Sequence, residues 1–323
     1  MPLKKIIKFS LSLTIGFVFI WLSLQGIDWQ ETLSAISKVS PFTIIICLLI
    51  ISISFCIRWA RWFLILKKYQ KQLDYKLCFS PLVICWAINS VIPAKAGELV
   101  RVYMMSKRSK ISKTQVLSSA IIERIFDGLL LLSLFFMAIK MVSLPYWVHH
   151  VLNLFGIVFI IAVVTLYAFT LSKPLHGYLN NNNWRFGAGL GRLAGKLLEA
   201  LAIINNFKTI LILASLSLIP WLVEAWTYCF LMNSFGFNLN FTDAIVIISM
   251  VNFGILVLQA PGGIGPFEYI IIKSLSLFSI SHSSAMAFAI VVHSCIYLPS
   301  VILGGYLMMK TGFNWQSIKK EEI

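Results

Sequence analysis

Charged side chains are scarce in this sequence, and acidic ones scarcest. Only 12% of its 323 residues are Asp, Glu, Lys or Arg, and just 12 are acidic. A soluble chain of this length cannot cover its surface with so little charge. The six cysteines (Cys47, Cys56, Cys78, Cys85, Cys229 and Cys295) form no CxxC pair and lie in apolar stretches, so they read as small hydrophobes and not as a disulfide framework or metal cage. His149, His150, His176, His282 and His293 are scattered, which leaves no metal-ligand spacing. There is no HExxH, no P-loop and no nucleophile elbow with a Ser, His and Asp set. The expectation is therefore a protein that is not an enzyme, has no cofactor and does not itself hydrolyse ATP.

What fills the sequence is hydrocarbon. Hydrophobic residues make up 59% of the chain and the mean hydropathy is +0.87. The apolar runs are too long and continuous for barrel strands, which alternate. They indicate an all-α polytopic membrane protein. The net charge of +15 would suggest nucleic acid in a soluble protein. Here Lys and Arg cluster in short loops beside apolar runs, the positive-inside pattern, with anionic lipid headgroups as neighbours. Lys4 and Lys5 precede, and Lys8 lies at the start of, an apolar run over 6–24 that exceeds a usual signal-peptide core, so it reads as a retained first span with a cytoplasmic N-terminus.

Full spans of near or above ~20 residues are expected over 6–24, 41–66, 116–142, 151–171, 209–232 and 285–310. Two further apolar stretches, 77–92 and 244–260, each run into a Pro-x-x-x-Gly break. The breaks are Pro93 to Gly97, followed by Glu98, and Pro261-Gly262-Gly263-x-Gly265, followed by Glu268. If 77–92 crossed fully, the basic loop with Arg101, Lys107, Arg108, Lys110 and Lys113 would lie outside, against the charge rule. Two re-entrant helical hairpins remove that conflict, one entering from each side. The chain then divides into repeat one (41–142), a cytoplasmic linker (172–208) and repeat two (209–310), with opposite orientation and both termini in the cytoplasm. Eight full spans with two kinks are the simpler rival. Asp28–Val39 carries Trp29, Leu33, Ile36 and Val39 at helical spacing, as an interfacial helix would. A second surface helix is expected over 187–201.

Charges within the bilayer mark function by default, because each costs roughly 2.5–3.5 kcal/mol even on the lenient insertion scale. Glu98, Glu123, Asp127, Glu224 and Glu268 are the acidic cases. Glu123 and Asp127 are i, i+4 and share a helical face beside Arg124. The compensating cations would come from Lys95, Arg101, Arg58 and Arg61. One reading is a site in which Arg124 and Arg101 hold a lipid phosphate; the other is a structural ion-pair network. Arg58 and Arg61, flanked by Trp59 and Trp62, read as interface anchors. Glu98 and Glu268 could cap returning helices, bind a cationic headgroup or carry a proton. Lys273 could pair with Glu268 or contact phosphate. Glu224 is expected to find His293 or Tyr228, and Asn89, Asn252 and Gln259 to satisfy freed backbone groups.

The Pro93-x-x-x-Gly97-Glu98 break, Arg101, the basic loop, Glu123-Arg124 with Asp127, and the Pro261-Gly262-Gly263-x-Gly265 break with Glu268 together resemble the flippase-like family that includes the membrane half of lysylphosphatidylglycerol synthases. The resemblance spans nearly the whole chain. It implies a domain that moves lipids between leaflets of the cytoplasmic membrane, here without the aminoacyl transferase domain of the synthases. The expected function is thus a flippase for a lipid or lipid-linked precursor with an anionic or phosphate-bearing headgroup. The alternatives are a membrane-embedded enzyme acting on a lipid-linked phosphate, with Asp127 or Glu123 as base, and a non-catalytic partner of a separate lipid or glycan synthase.

Overall fold

The computed structural model describes residues 3–92, 95–142 and 206–313, with scattered positions between 146 and 164. Pro93, most of the expected span 151–171, the surface helix 187–201 and nearly all of the linker 172–208 lie outside the described residues. The described elements are α1 (Leu3–Leu24), α2 (Trp29–Ser37), α3 (Pro41–Tyr69), α4 (Tyr75–Asn89), α5 (Gly97–Arg108), α6 (Lys113–Ala138), α7 (Phe207–Ser234), α8 (Phe241–Val257), α9 (Pro266–Ser276) and α10 (His282–Lys310). No strand occurs among the described residues.

Local sequence sets most helix starts. Asp28, Ser40, Asp74, Ser112, Asn206, Asn240 and Ser281 each accept first-turn N–H groups through the side chain, which satisfies donors that the helix itself cannot. α5 begins at Ala96 without such a cap. α3, α7 and α10 are long and apolar enough to cross a bilayer. α1 turns by 91° into α2, and the two are joined by the short Gly26 turn.

α4, α5, α8 and α9 hold 15, 12, 17 and 11 residues. At 1.5 Å per residue each falls short of the ~30 Å hydrocarbon core. α4 packs on α5, and α8 on α9. The Lys110 N–H donates to Gln70 Oε1 at 3.0 Å, so both ends of the first broken segment lie together. Arg108 reaches back to Ser80 Oγ at 2.7 Å on the same side. At the second segment, Phe237 ahead of α8 meets Phe288 of α10 with ring centroids 5.9 Å apart. The chain before and after each broken segment thus lies close together.

α3 and α7 pack antiparallel, with contacts running from Lys68–Thr209 through Arg61–Ser217 to Arg58–Glu224. The other pairings are α4 with α10, α8 with α6, α5 with α6, α9 with α10, α3 with α4, α7 with α8, α3 with α6, α7 with α10, α3 with α10 and α7 with α6. Exchanging α3–α6 for α7–α10 leaves this set of pairs unchanged. α1 and α2 lie outside the exchange, with α1 against α9 and α2 against α10. The main apolar core, including Phe135, Tyr228, Met232, Ile247, Ile271 and Phe288, packs α6–α10 together. Helices approach closely through small residues: a Cβ added to Gly304 of α10 would lie 2.3 Å from the Ala87 Cβ of α4.

Candidate functional site

The two breaks meet. Gly262 has φ +63, and a Cβ built on it would lie 2.6 Å from the Ser90 carbonyl oxygen. Only glycine combines that left-handed backbone with so close an approach. At the first break a Cβ on Gly97 would lie 2.1 Å from the Cys85 carbonyl oxygen. Backbone groups freed at a break inside a bilayer need partners, and named side chains supply them. Asn89 Oδ1 accepts from the Gly97 N–H at 2.9 Å, as the sequence led one to expect. Ser12 of α1 donates to the Gln259 carbonyl at 2.6 Å, and Glu268 Oε2 accepts from the Gly265 N–H at 2.7 Å. Asn252 and Gln259 instead bond carbonyls one turn earlier in their own segment, Ile248 and Leu256.

A cavity of about 290 Å³ opens between the breaks. Its walls come from α3 (Arg58), α6 (Arg124, Asp127), α7 (Trp221, Glu224, Tyr228), α10 (Tyr297, Ser300) and both breaks (Lys95 and Gly262 among others). Trp221 Nε1 and Tyr228 Oη are buried and have no hydrogen-bond partner among the described residues. Lys95 is exposed, forms no ion pair among the described residues and sits in the left-handed region at φ 51. These groups give the cavity donors and positive charge.

Behind the cavity runs a chain of alternating charges. Arg124 pairs with Glu98 at 2.7 Å, and Glu98 with Arg101 at 2.8 Å. Arg101 pairs with Glu123 at 2.7 Å, and Glu123 with Arg61 at 3.4 Å. Arg61 joins Asp127 through both carboxylate oxygens and donates to Ser217 Oγ at 2.6 Å. Arg58 then links Asp127 at 3.6 Å to Glu224 at 3.4 Å. Four guanidinium groups thus alternate with four carboxylates across α3, α5, α6 and α7, and the sum of charge is zero. Neutrality makes the set tolerable in a low-dielectric setting, where an unpaired ion is not. Arg101 and Arg61 are each 2% exposed. The Arg124 side chain is 51% exposed, and both ends of the chain of charges reach the cavity, Arg124 at one and Asp127, Arg58 and Glu224 at the other.

Several sequence expectations change here. Arg61 is no interface anchor: it lies in the middle of the buried network, and Arg58 is ion-paired beside it with its guanidinium over the Trp221 ring. The flanking tryptophans suggested a membrane interface, but Trp62 is fully buried, donates to Ser119 Oγ at 2.9 Å and lies under Arg101. Glu224 finds Arg58, not His293 or Tyr228. Glu98 turns to two arginines and does not cap α5, whereas Glu268 does cap α9. Lys273 is exposed over the Tyr269 ring, away from Glu268. His293 is the partner of Glu268. The sequence held one signal for that pairing, a histidine inside an otherwise apolar span.

Broken helical segments that frame a charged cavity within an apolar helical body define a class, that of polytopic integral membrane proteins with a polar cavity among their helices. Residues 9–304 match the family described as the lysylphosphatidylglycerol synthase TM region, and the chain belongs to that family. It is similar to two proteins of Methanocaldococcus jannaschii. The UPF0104 membrane protein MJ1078 is 26% identical over 224 residues, covering 68% of this chain and 92% of that relative. The UPF0104 membrane protein MJ1595 is 24% identical over 329 residues, covering 94% of this chain and 95% of that relative.

Proposed function

We propose that this protein is a translocase of the cytoplasmic membrane that carries the polar headgroup of a lipid or lipid-linked precursor between leaflets. The observation that carries the reading is the cavity between the two breaks, with Arg124 half exposed, Lys95 without an ion pair among the described residues and two buried donors on its wall. An anionic, phosphate-bearing headgroup complements such a lining. Acyl or prenyl chains stay in lipid, so the cavity shields the head alone.

The architecture supports alternating access. The pairing of helices is conserved under exchange of α3–α6 with α7–α10, and α3 and α7 run antiparallel. A two-fold relation between antiparallel helices has its axis perpendicular to them, in the membrane plane, which is the arrangement of inverted-repeat transporters. Residues 41–142 and 209–310 are then the repeats, each with a re-entrant hairpin. The basic 107–113 loop, joined to Gln70, takes the cytoplasmic side. Neither repeat has to unfold for the cavity to change sides; each rocks against the other.

The test is translocation of headgroup-labelled lipids in proteoliposomes holding the purified chain, with phospholipids and polyprenyl phosphates in separate preparations. Arg124→Ala is the control, since it removes a cavity cation and leaves the buried pairs intact. Transport by the native chain that is lost in the variant supports the reading. No transport of any of these lipids sinks it and turns attention to a partner synthase or an enzymatic role.

A further inference from the structure

The two breaks are guarded by different chemistry at matching places. Arg124 is the twelfth residue of α6 and His293 the twelfth of α10, the helices that exchange under the internal two-fold relation. Each reaches the glutamate at the start of the returning helix: Arg124 pairs with Glu98 at 2.7 Å, and His293 Nδ1 with Glu268 Oε1. The first pair is charged at every physiological pH, because an arginine does not deprotonate. The second is able to take up and give away a proton.

The hydrogen bonds fix where the protons lie. His293 Nε2 is 3.1 Å from the Gly262 carbonyl oxygen. A carbonyl only accepts, so Nε2 carries a proton. Nδ1 faces a carboxylate oxygen, and that contact is attractive only if one further proton sits between them, on Nδ1 or on the carboxyl. Glu268 Oε2 is meanwhile tied to the Gly265 N–H. With this proton present, the His293 ring and Glu268 together tie the Gly262–Gly265 turn to α10. Without it, a bare nitrogen lone pair faces a carboxylate and the tie opens. Gly262, Phe267 and Tyr297, all in contact with this pair, form cavity wall.

We propose that the Glu268–His293 pair is a proton-binding site which latches the second break to α10, so that headgroup passage exchanges with one proton; this rests on the translocase reading above. The other titratable and charged groups around the pair are few. Tyr297 on α10 has its ring 4.3 Å from His293. Tyr228 and Glu224 stand on α7, and Arg58 on α3 is committed to Glu224 and Asp127. α4 presents Trp86, Asn89 and Ser90, none of which titrates. Lys273 on α9 faces outward, and Glu31 on α2 is bonded to serines at the far end of α10. α1 contributes the Ser23 carbonyl, which is taken by His282.

The experiment uses the full chain with headgroup-labelled phosphatidylglycerol or polyprenyl phosphate in proteoliposomes, with and without a pH gradient. Alongside it, the His293 imidazole is titrated by nitrogen NMR in the purified chain. Translocation by the native protein is expected to speed up with the gradient, and His293→Arg and Glu268→Gln are both expected to lose that response. In the titration, one ring proton is expected to leave in a step that Glu268→Gln displaces. Native translocation indifferent to the gradient overturns the proton site and leaves the translocase reading standing. If no lipid moves, the translocase reading fails and the titration alone decides: a ring whose protonation is constant over about pH 5 to 9 overturns the site, and a shared, displaced step upholds it.

Discussion

Arg101 touches two carboxylates, Glu98 and Glu123, with its guanidinium carbon 4.8 Å from the Trp62 ring centroid, and it is almost wholly buried. Its removal leaves both carboxylates short of a counter-ion where water cannot replace it. Breaking one partner out of a buried ion pair costs about 3–5 kcal/mol. Arg101→Met should therefore lower unfolding stability by that amount. Arg124→Ala should cost less than about 1 kcal/mol, as an exposed pair does, because Glu98 keeps Arg101. Unfolding titrations of both variants in the same detergent check the ordering; equal losses would mean that Arg124 is as structural as Arg101. Glu98, Arg101, Glu123, Arg124 and Asp127 were legible in the sequence, because ionised groups in apolar stretches are rare enough to need a reason. Arg58 and Arg61 were legible only as two of the available counter-ions, with the interface-anchor reading preferred for both. Their carboxylate partners lie on α6 and α7, and nothing within α3 distinguishes a snorkelling arginine from one turned inward.

At the scale of single elements, proline and glycine spacing located both interruptions, and the period of Trp29, Leu33 and Ile36 located α2. What the sequence could not show is which element closes each interruption. The Gln259 carbonyl is satisfied by Ser12, from a helix that begins far away in the chain. The attachment of α2 is equally non-local. The Asp28 N–H donates to Ser283 Oγ at 2.9 Å, and Ser281 and Ser284 both donate to Glu31 Oε1. The bond from Ser281, then that from Ser284, holds the Glu31 carboxylate below its ordinary value of 4.5. A carboxylate with a depressed pKa stabilises its contact above the ordinary value and loses that contribution as pH falls through the lowered one. Hydrogen-exchange protection of Trp29–Ser37 should thus be steady near neutral pH and drop in acid below 4.5. In Glu31→Gln the acid-dependent part of that drop should vanish. A drop of the same size in the variant would assign it to other carboxylates.

At the scale of the whole molecule, α3–α6 and α7–α10 are two sets of four helices that both line one cavity, and under the translocase reading the contact between their breaks is where relative motion is felt. Ser90, at the end of α4, has its hydroxyl 3.4 Å from that of Ser300 on α10. The two residues belong to different units, and both line the cavity. If the headgroup crosses because one unit rocks on the other, this distance changes in every cycle. A bond across it would hold the protein in the state described here. A disulfide needs an S–S length of about 2.05 Å, and the present separation lies within a small side-chain adjustment of it. Ser90→Cys with Ser300→Cys, on a background in which the six native cysteines are replaced, should therefore oxidise readily. Oxidation should arrest translocation and reduction should restore it, while each single variant stays indifferent to oxidant. The readout is the same labelled-lipid assay, with gel mobility to count the crosslinked fraction. Transport that continues in a fully crosslinked sample would place the moving boundary elsewhere, between α3 and α7 or within one hairpin, and the two units would then act as one rigid body around a fixed opening.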